Sequence, residues 1–224
     1  MNKKFRGMFV PYFNTFLTKN MKKIVLSLGL LLGIAGVAQA QETRFGAKIG
    51  LGLATITGSD IKEVKNLVVF NGGVMADISF SDLISFHPEL LYSQRGAKSD
   101  GTYTGVTYTG TTRLGYIDVP LLLRIKASGL FFEAGPQLGI LLSQNTEATV
   151  AYSGRSTTSS SSSTEGLRKL DFGYVVGVGF QLPEGLELGI RYNGGLLDLN
   201  DPSDSPKQYN SVFQFQVGYL FGGK

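Results

Sequence analysis

The 224-residue sequence predicts an all-β fold: an eight-stranded antiparallel up-and-down transmembrane β-barrel with long external loops and short periplasmic turns. Two observations support this prediction. Eight stretches after Gln41 alternate apolar and polar residues with period two, the pattern of strands that have two different faces. In every stretch the apolar face carries no charge, while the other face is rich in Gly, Glu, Asp and Arg. A sheet with two such faces separates two different solvents.

The first of these stretches shows the rule, because Phe45, Ile49 and Leu53 fall on one face and Lys48 and Gly50 on the other. We expect the eight strands at 44–57, 68–79, 84–95, 113–126, 130–143, 170–182, 186–193 and 211–221.

Short and long connections alternate between the predicted strands. Those near 81–82, 127–129 and 183–185 are tight and made of turn residues. Those at about 58–67, 96–112, 144–169 and 194–210 are long and polar, and the tract 156–164 is too polar to bury anything. All long loops therefore emerge at one end of the barrel, with both termini at the other, which is the outer-membrane arrangement.

The charge-free face is the one expected to contact lipid. A lysine or arginine at the bilayer midplane costs about 2 to 4 kcal/mol, so lipid excludes charge from this face. The glycines belong inside, since an eight-stranded barrel is only wide enough for its own side chains. A soluble barrel of the lipocalin type is the alternative, but it would place the glycines on the convex face, where no crowding requires them.

Aromatic and proline residues add two expectations. Several Phe and Tyr residues near strand ends fit interfacial girdles, with ordinary β-propensity as the alternative explanation. Pro88, Pro120 and Pro136 fall inside the predicted strands 84–95, 113–126 and 130–143. Because proline has no N–H to donate, we expect local bulges or breaks in the hydrogen-bond ladder there.

The N-terminal region reads as an export signal. Residues 21–40 contain Lys22 and Lys23, an apolar run over 24–37 and the small-residue site Ala38-Gln39-Ala40, so cleavage is expected after Ala40. This run is shorter than the roughly 20 residues that span a bilayer as a helix. Residues 1–20 are expected to be an upstream extension without function. The barrel domain is then 41–224, located in the outer membrane.

Removal of 1–40 changes the net charge, because that region holds six basic residues and no acids. The remaining chain has 15 basic and 17 acidic residues, so the pI near 9.2 does not indicate nucleic-acid binding. Without cysteines there are no disulfides and no thiolate metal sites. A closed barrel supplies stability instead, because every strand is paired on both sides.

The charged residues of the inner face are the candidate site residues. Charges in a narrow lumen must be paired, so we interpret them as a structural network and expect neither catalytic nor cofactor-binding residues among them. The network is expected to contain Lys48, Asp77, His87, Glu89, Asp118, Arg124, Glu133, Glu187 and Arg191. Arg95 and Asp171 fall on the same face.

His87 is the only histidine and precedes Pro88 and Glu89. A catalytic interpretation makes it a general base oriented by Glu89, whereas the structural one makes it a hydrogen-bonded lumen residue, which we favour. One histidine and no cysteine leave too few ligands for a typical zinc site. Asp201 and Asp204 could bind calcium weakly, but their spacing matches no known loop. No cofactor or metal is expected.

Four segments resemble the PorT-like outer-membrane β-barrel family of Bacteroidota, and the resemblance covers about 44–221. They are 87–96 (HPELLYSQRG), 116–124 (YIDVPLLLR), 133–136 (EAGP) and 189–196 (GIRYNGGL). The resemblance implies that the three prolines are family features. PorT itself is linked to protein secretion across the outer membrane, but no site residues are carried over. The alternating aromatics Phe215, Tyr219 and Phe221 resemble the signal that the barrel-assembly machinery reads.

These observations support three hypotheses about function. The leading one is a non-enzymatic integral outer-membrane protein, a monomer in outer-membrane lipid, with an adhesive, recognition or envelope-structural role in its loops. The second is a porin or an accessory of protein export, although a lumen filled by side chains should not conduct. The third is a lipid-modifying barrel enzyme, which would need a catalytic group that reaches the outer leaflet. The partner of the loops is not identified by the sequence.

Overall fold

The computed structural model describes residues 42–58, 64–200 and 207–222. The proposed extension 1–20, the signal peptide 21–40 and the pair Asp201 and Asp204 lie outside these residues. The strands are β1 (Thr43–Gly58), β2 (Val64–Lys65), β3 (Leu67–Ser79), β4 (Ile84–Tyr103), β5 (Val106–Ala127), β6 (Leu130–Tyr152), β7 (Arg155–Ser161), β8 (Leu170–Gln181), β9 (Leu186–Gly195) and β10 (Gln208–Leu220). In the described part of the chain, no helix is long and apolar enough to cross a bilayer.

Eight strands close into a ring. Antiparallel pairs run in the order β1, β3, β4, β5, β6, β8, β9 and β10, and β10 pairs back with β1 from Gly46↔Leu220 to Gly58↔Gln208. The ring therefore has no edge whose backbone groups would need water. This confirms the predicted eight-stranded up-and-down barrel. The two additional strands lie outside the ring, with β2 on β4 and β7 on β6.

The two faces of the barrel wall carry the residues that the alternation predicts. Large apolar side chains such as Ile49, Phe132 and Phe215 point outward and are more than half exposed, whereas Arg124 and Arg191 point inward and are buried. A soluble barrel has the opposite arrangement, so these strands do not form a lipocalin-like barrel.

The three prolines interrupt the ladder as expected. Two consecutive pairs are missing from each of three strand pairings, and one pair of the two would include a proline. The proline is Pro88 in the β3–β4 pairing, Pro120 in β4–β5 and Pro136 in β5–β6. The register is the same on both sides of each gap, so these are breaks and not bulges. They follow from the missing N–H of proline.

Two of the predicted long loops are largely strand, which corrects the sequence prediction. The segment 96–112 is a hairpin in which β4 continues to Tyr103 and β5 starts at Val106, and within 144–169 β6 continues to Tyr152 and β7 follows. The strands were predicted from apolar residues that face lipid, and this signal stops where the wall leaves the bilayer. The Thr, Tyr and Val residues beyond that point still favour extended structure.

A single bulge marks this transition on β6. Gly115 pairs with Ser143 but Tyr116 pairs with Leu141, so Leu142 is an extra residue. Since the side chains of a cross-strand pair share a face, the outward face of β6 is formed by even-numbered residues below the bulge and by odd-numbered residues above it.

Candidate functional site

All nine residues of the expected lumen network are buried. β1 supplies Lys48, β3 Asp77, β4 His87 and Glu89, β5 Asp118 and Arg124, β6 Glu133, and β9 Glu187 and Arg191. Hydrogen bonds join eight of them into one cluster, which we call the central cluster; Asp118 lies apart from it.

Two arginines form the middle of the central cluster. Arg124 donates to Glu133 Oε2 at 2.9 Å and to Glu187 Oε1 at 2.6 Å. Arg191 donates to both oxygens of Glu89 at 2.8 and 2.9 Å and also pairs with Glu133. Glu133 therefore bridges the two guanidinium groups, so that the charges of the cluster are paired.

Lys48 and Asp77 connect this centre to the rest of the lumen. Lys48 Nζ donates to Glu89 Oε1 at 2.6 Å and to Gln216 Oε1 at 3.3 Å. Near the end with the tight turns, Asp77 accepts a hydrogen bond from Ser85 Oγ at 2.7 Å and pairs with Lys126. The polar contacts extend from the middle of the lumen to its tight-turn end.

His87 is enclosed by the central cluster. Its Nδ1 lies 3.3 Å from Asp77 Oδ1, and its Nε2 lies 3.0 Å from Arg124 Nη2 and 3.2 Å from Glu89 Oε1. Both ring nitrogens are thus engaged, and the side chain is 0% exposed. An imidazole in this position is enclosed by charged side chains and holds them in place.

His87, Glu89 and Glu133 also bring potential metal-ligand atoms within 4.8 Å of one another. The carboxylate oxygens of this group already accept hydrogen bonds from Lys48, Arg124 and Arg191. A metal ion would have to displace three cations and would be repelled by them. The arrangement therefore fits an ion-pair network better than a metal centre.

A second group of charges lies closer to the hairpin end, which is the end of the barrel where β4 and β5 form their hairpin. Arg95 donates to Asp118 Oδ1 at 2.6 Å and pairs with Asp171, and its guanidinium lies 4.4 Å from the ring centroid of Tyr116. Asn193 Nδ2 donates to Gln137 Oε1 at 2.9 Å beside this group. A cavity of about 10 Å³ between these side chains has room for about one water molecule.

Glycines make room for the largest of these side chains. The Arg124 guanidinium stacks 4.0 Å above the centre of the Phe131 ring, and a Cβ at Gly179 would lie 2.3 Å from Phe131 Cζ. At Gly177, a Cβ would lie 3.0 Å from Glu133 Oε1. The narrow lumen is filled because small and large residues face one another.

Apolar residues cover the lumen at the hairpin end. Leu199, which precedes β10, packs with Leu114, Tyr116 and Leu141, and Leu167 packs against the same group. Backbone bonds fix the covering segment, since Leu199 N donates to Gln208 O at 2.9 Å and Arg168 N donates to Leu199 O at 2.9 Å. The charged groups below are separated from the outer solvent.

The projecting sheet is the second candidate site. We use this name for residues 96–103 of β4, 106–113 of β5 and 144–152 of β6, together with β2 and β7. β5 and β6 have 22 and 23 residues, whereas 9 to 11 residues cross a bilayer as a tilted strand. The excess extends beyond the apolar band.

The polarity of the two faces reverses in the projecting sheet. Below the bulge the outward residues of β6 include Leu138 and Ile140, but above it Glu147 and Thr149 continue that face. The lumen-side face instead exposes aromatic and aliphatic residues, namely Tyr108, Val150 and Tyr152. The outer face has therefore passed from a lipid to an aqueous environment.

Sequence reasoning left Lys126, Ser85, Gln137, Asn193 and Asn210 out of the lumen network. The signal was present, because each of them occupies an inward position of its strand. Four of them are uncharged and only charged residues were considered, whereas Lys126 is charged but is the last residue of the predicted strand 113–126. The projecting sheet was missed because its residues lack the lipid-facing alternation.

A family model described as outer membrane protein beta-barrel domain matches residues 38–201, more than half of the chain. A comparison with curated proteins gives no significant match.

Solved structures with a similar fold include the attachment invasion locus protein Ail of Yersinia pestis (16% identity, 80% of this chain and 99% of that chain covered, TM-score 0.45). Neisserial surface protein A has 16% identity and a TM-score of 0.45, with 79% of this chain and 97% of that chain covered. The outer membrane enzyme PagL has 10% identity and a TM-score of 0.32, with 76% of this chain and 98% of that chain covered. With every TM-score below 0.5, no functional conclusion rests on these three likenesses.

Proposed function

Because the chain belongs to the outer membrane protein β-barrel domain family, we propose that it is a non-enzymatic integral outer-membrane protein that displays a binding surface on its projecting sheet. The proposal includes export with a signal peptide cleaved after Ala40, insertion by the barrel-assembly machinery and a monomeric barrel in outer-membrane lipid. It also includes kinship with the PorT-like barrels, which the four sequence motifs support.

One observation carries this proposal: the wall of the barrel continues past its apolar band as a sheet with a polar outer face, while the lumen is filled. Within the described residues, the charged groups of the lumen are buried and paired, as in the Arg124–Glu187 contact of 2.6 Å. A filled barrel gives rigidity but offers little space to a solute. The exposed surface beyond the membrane is where a partner can bind.

The geometry supports the two alternatives less well. A porin needs an open path, and the described lumen is crossed by the ion pairs of Arg124 and Arg191. A lipid-modifying enzyme needs a catalytic group at the outer leaflet, and His87 is buried inside the barrel. The sheet therefore remains the best-supported functional element.

Photo-crosslinking on intact cells tests the proposal. A photoreactive amino acid replaces Tyr108 or Tyr152 on the projecting sheet, or Phe172 on the apolar band as the matched aromatic control. We expect a reproducible adduct with a protein or glycan at the two sheet positions and lipid adducts alone at Phe172. Lipid adducts alone at all three positions would refute a binding role for the sheet.

A further inference from the structure

Strand β7 forms one border of the projecting sheet. It pairs with β6 from Thr146↔Ser161 to Tyr152↔Arg155, and all seven of its residues are exposed. Among the described residues, its other side has no paired strand. The opposite border of the sheet is partly covered, because β2 pairs with β4 at Ser99 and Lys98.

The hairpin geometry identifies the backbone groups that are free. Ser153 and Gly154, with φ of 47° and 77°, form a two-residue turn that joins Tyr152 to Arg155. In such a hairpin the two residues that flank the turn, Tyr152 and Arg155, bond to each other through both backbone groups. Along the ladder, pairs that are hydrogen-bonded in this way then alternate with pairs whose backbone groups point away from each other. The N–H and C=O groups of Ser156, Thr158 and Ser160 therefore point away from β6.

This edge lacks the features that normally prevent strand pairing. Edge strands are usually protected by charged side chains, proline or a bulge. Residues 156–161 are all Ser or Thr, and their register with β6 contains no shift. Arg155, at the tip, is the charged residue of the strand, and it forms no ion pair with the described residues.

We propose that β7 is a docking edge for an extended segment of a partner polypeptide, which adds to the projecting sheet as a further antiparallel strand. Its backbone would bond to Ser156, Thr158 and Ser160, as in other recognition by strand addition. Antiparallel addition places the carboxyl end of the segment beside Arg155, where an acidic residue fits. This inference rests on the proposed function and names the chemistry of its partner.

Symmetry argues against a second copy of the chain as the occupant. Two copies in one membrane are related by rotation about the membrane normal, which sets their β7 strands parallel with equal residues side by side. Parallel pairing instead bonds a residue to the two neighbours of the residue opposite it, which requires an offset of one. With equal residues side by side, the free backbone groups of Ser156, Thr158 and Ser160 would face the same groups of the second copy. Donors and acceptors would not be aligned for parallel hydrogen bonds.

Binding of a defined peptide to the protein in lipid nanodiscs tests this inference. The probe is a labelled heptapeptide of alternating threonine and valine that ends in glutamate, acetylated and amidated at its ends. We expect saturable binding that Thr158→Pro weakens at least tenfold, because proline removes an outward N–H and leaves the bonds to β6. Thr158→Val, which keeps the backbone, should bind within twofold of the unchanged protein.

Methylated probes provide the second readout. N-methylation of alternate residues on the side that faces β7 should abolish binding, and methylation of the other set should preserve it. Absence of saturable binding, equal binding by Thr158→Pro, or equal binding of both methylated probes would overturn the inference. So would dimers of the protein that Thr158→Pro dissociates, since the occupant would then be a second copy. If crosslinks at Tyr108 and Tyr152 persist while the peptide fails, the proposed function stands and the docking edge does not.

Discussion

Arg191 and Glu89 form a two-point ion pair across the lumen, with Nη1 to Oε2 at 2.8 Å and Nη2 to Oε1 at 2.9 Å. They lie on β9 and β4, which are not neighbours in the ring. The pair therefore connects opposite walls of the barrel, and its desolvated charges are tolerated because each has a partner.

Arg191→Met is expected to destabilise the barrel by about 3 to 5 kcal/mol, because it leaves the buried Glu89 and Glu133 without this partner. Unfolding by urea in lipid vesicles measures the change. Arg113→Met, at an exposed position, is the control and should change the unfolding free energy by about 0.5 kcal/mol or less. Adding Glu89→Gln to Arg191→Met should recover part of the loss. Equal unfolding free energies of Arg191→Met and Arg113→Met would contradict a role for the ion pair.

Gly179→Ala is expected to cost about 1 to 3 kcal/mol, because the new Cβ would lie 2.3 Å from Phe131 Cζ in a filled lumen. Gly189→Ala is the matched control on the same inner face. Its nearest atoms lie 3.7 Å away, so it should be tolerated. The same unfolding assay compares the two variants. A harmless Gly179→Ala would show that the lumen has spare room at Phe131.

The barrel was predictable from sequence because lipid acts on every residue of the outer face. The outward orientation of Ile49 or Phe215 follows from that local rule. The partners of Arg191 and Arg124 were not predictable, because they depend on which residues of distant strands reach the same height in the lumen. The projecting sheet was mistaken for loops because Thr107 to Thr112 face water on a wall that no longer contacts lipid.

The reversal of polarity along β6 predicts that arginine is costly at one position and tolerated at another. Leu138 and Val150 are 53% and 41% exposed, but only Leu138 lies in the apolar band. Leu138→Arg should cost about 2 to 4 kcal/mol in vesicles, and Val150→Arg close to nothing. Similar costs at the two positions would place both in the same solvent and contradict a sheet that projects from the membrane.

The segment that covers the lumen is predicted to depend on pH through Asp198. Desolvation alone would raise the pKa of Asp198, but hydrogen bonds from the backbone N–H groups of Gln208 and Asn200 outweigh it and hold the pKa below its usual value. Because the pKa is lowered on folding, the ionised carboxyl group stabilises the segment at pH values above the unfolded pKa of about 4. This stabilisation is lost as the pH falls through the folded-state pKa. The carboxyl carbon shift of Asp198, followed by NMR titration, should have a midpoint below that of a free aspartate. A midpoint at or above it would contradict these contacts.

Planar-bilayer recording tests the closed barrel most directly, and the projecting sheet is the proposed functional element because the lumen is filled. The purified protein, inserted into a lipid bilayer, should show no steady ion conductance above that of the bare bilayer. A steady conductance that appears with each insertion event would show that ions pass the Arg124 and Arg191 ion pairs, and it would contradict a filled lumen.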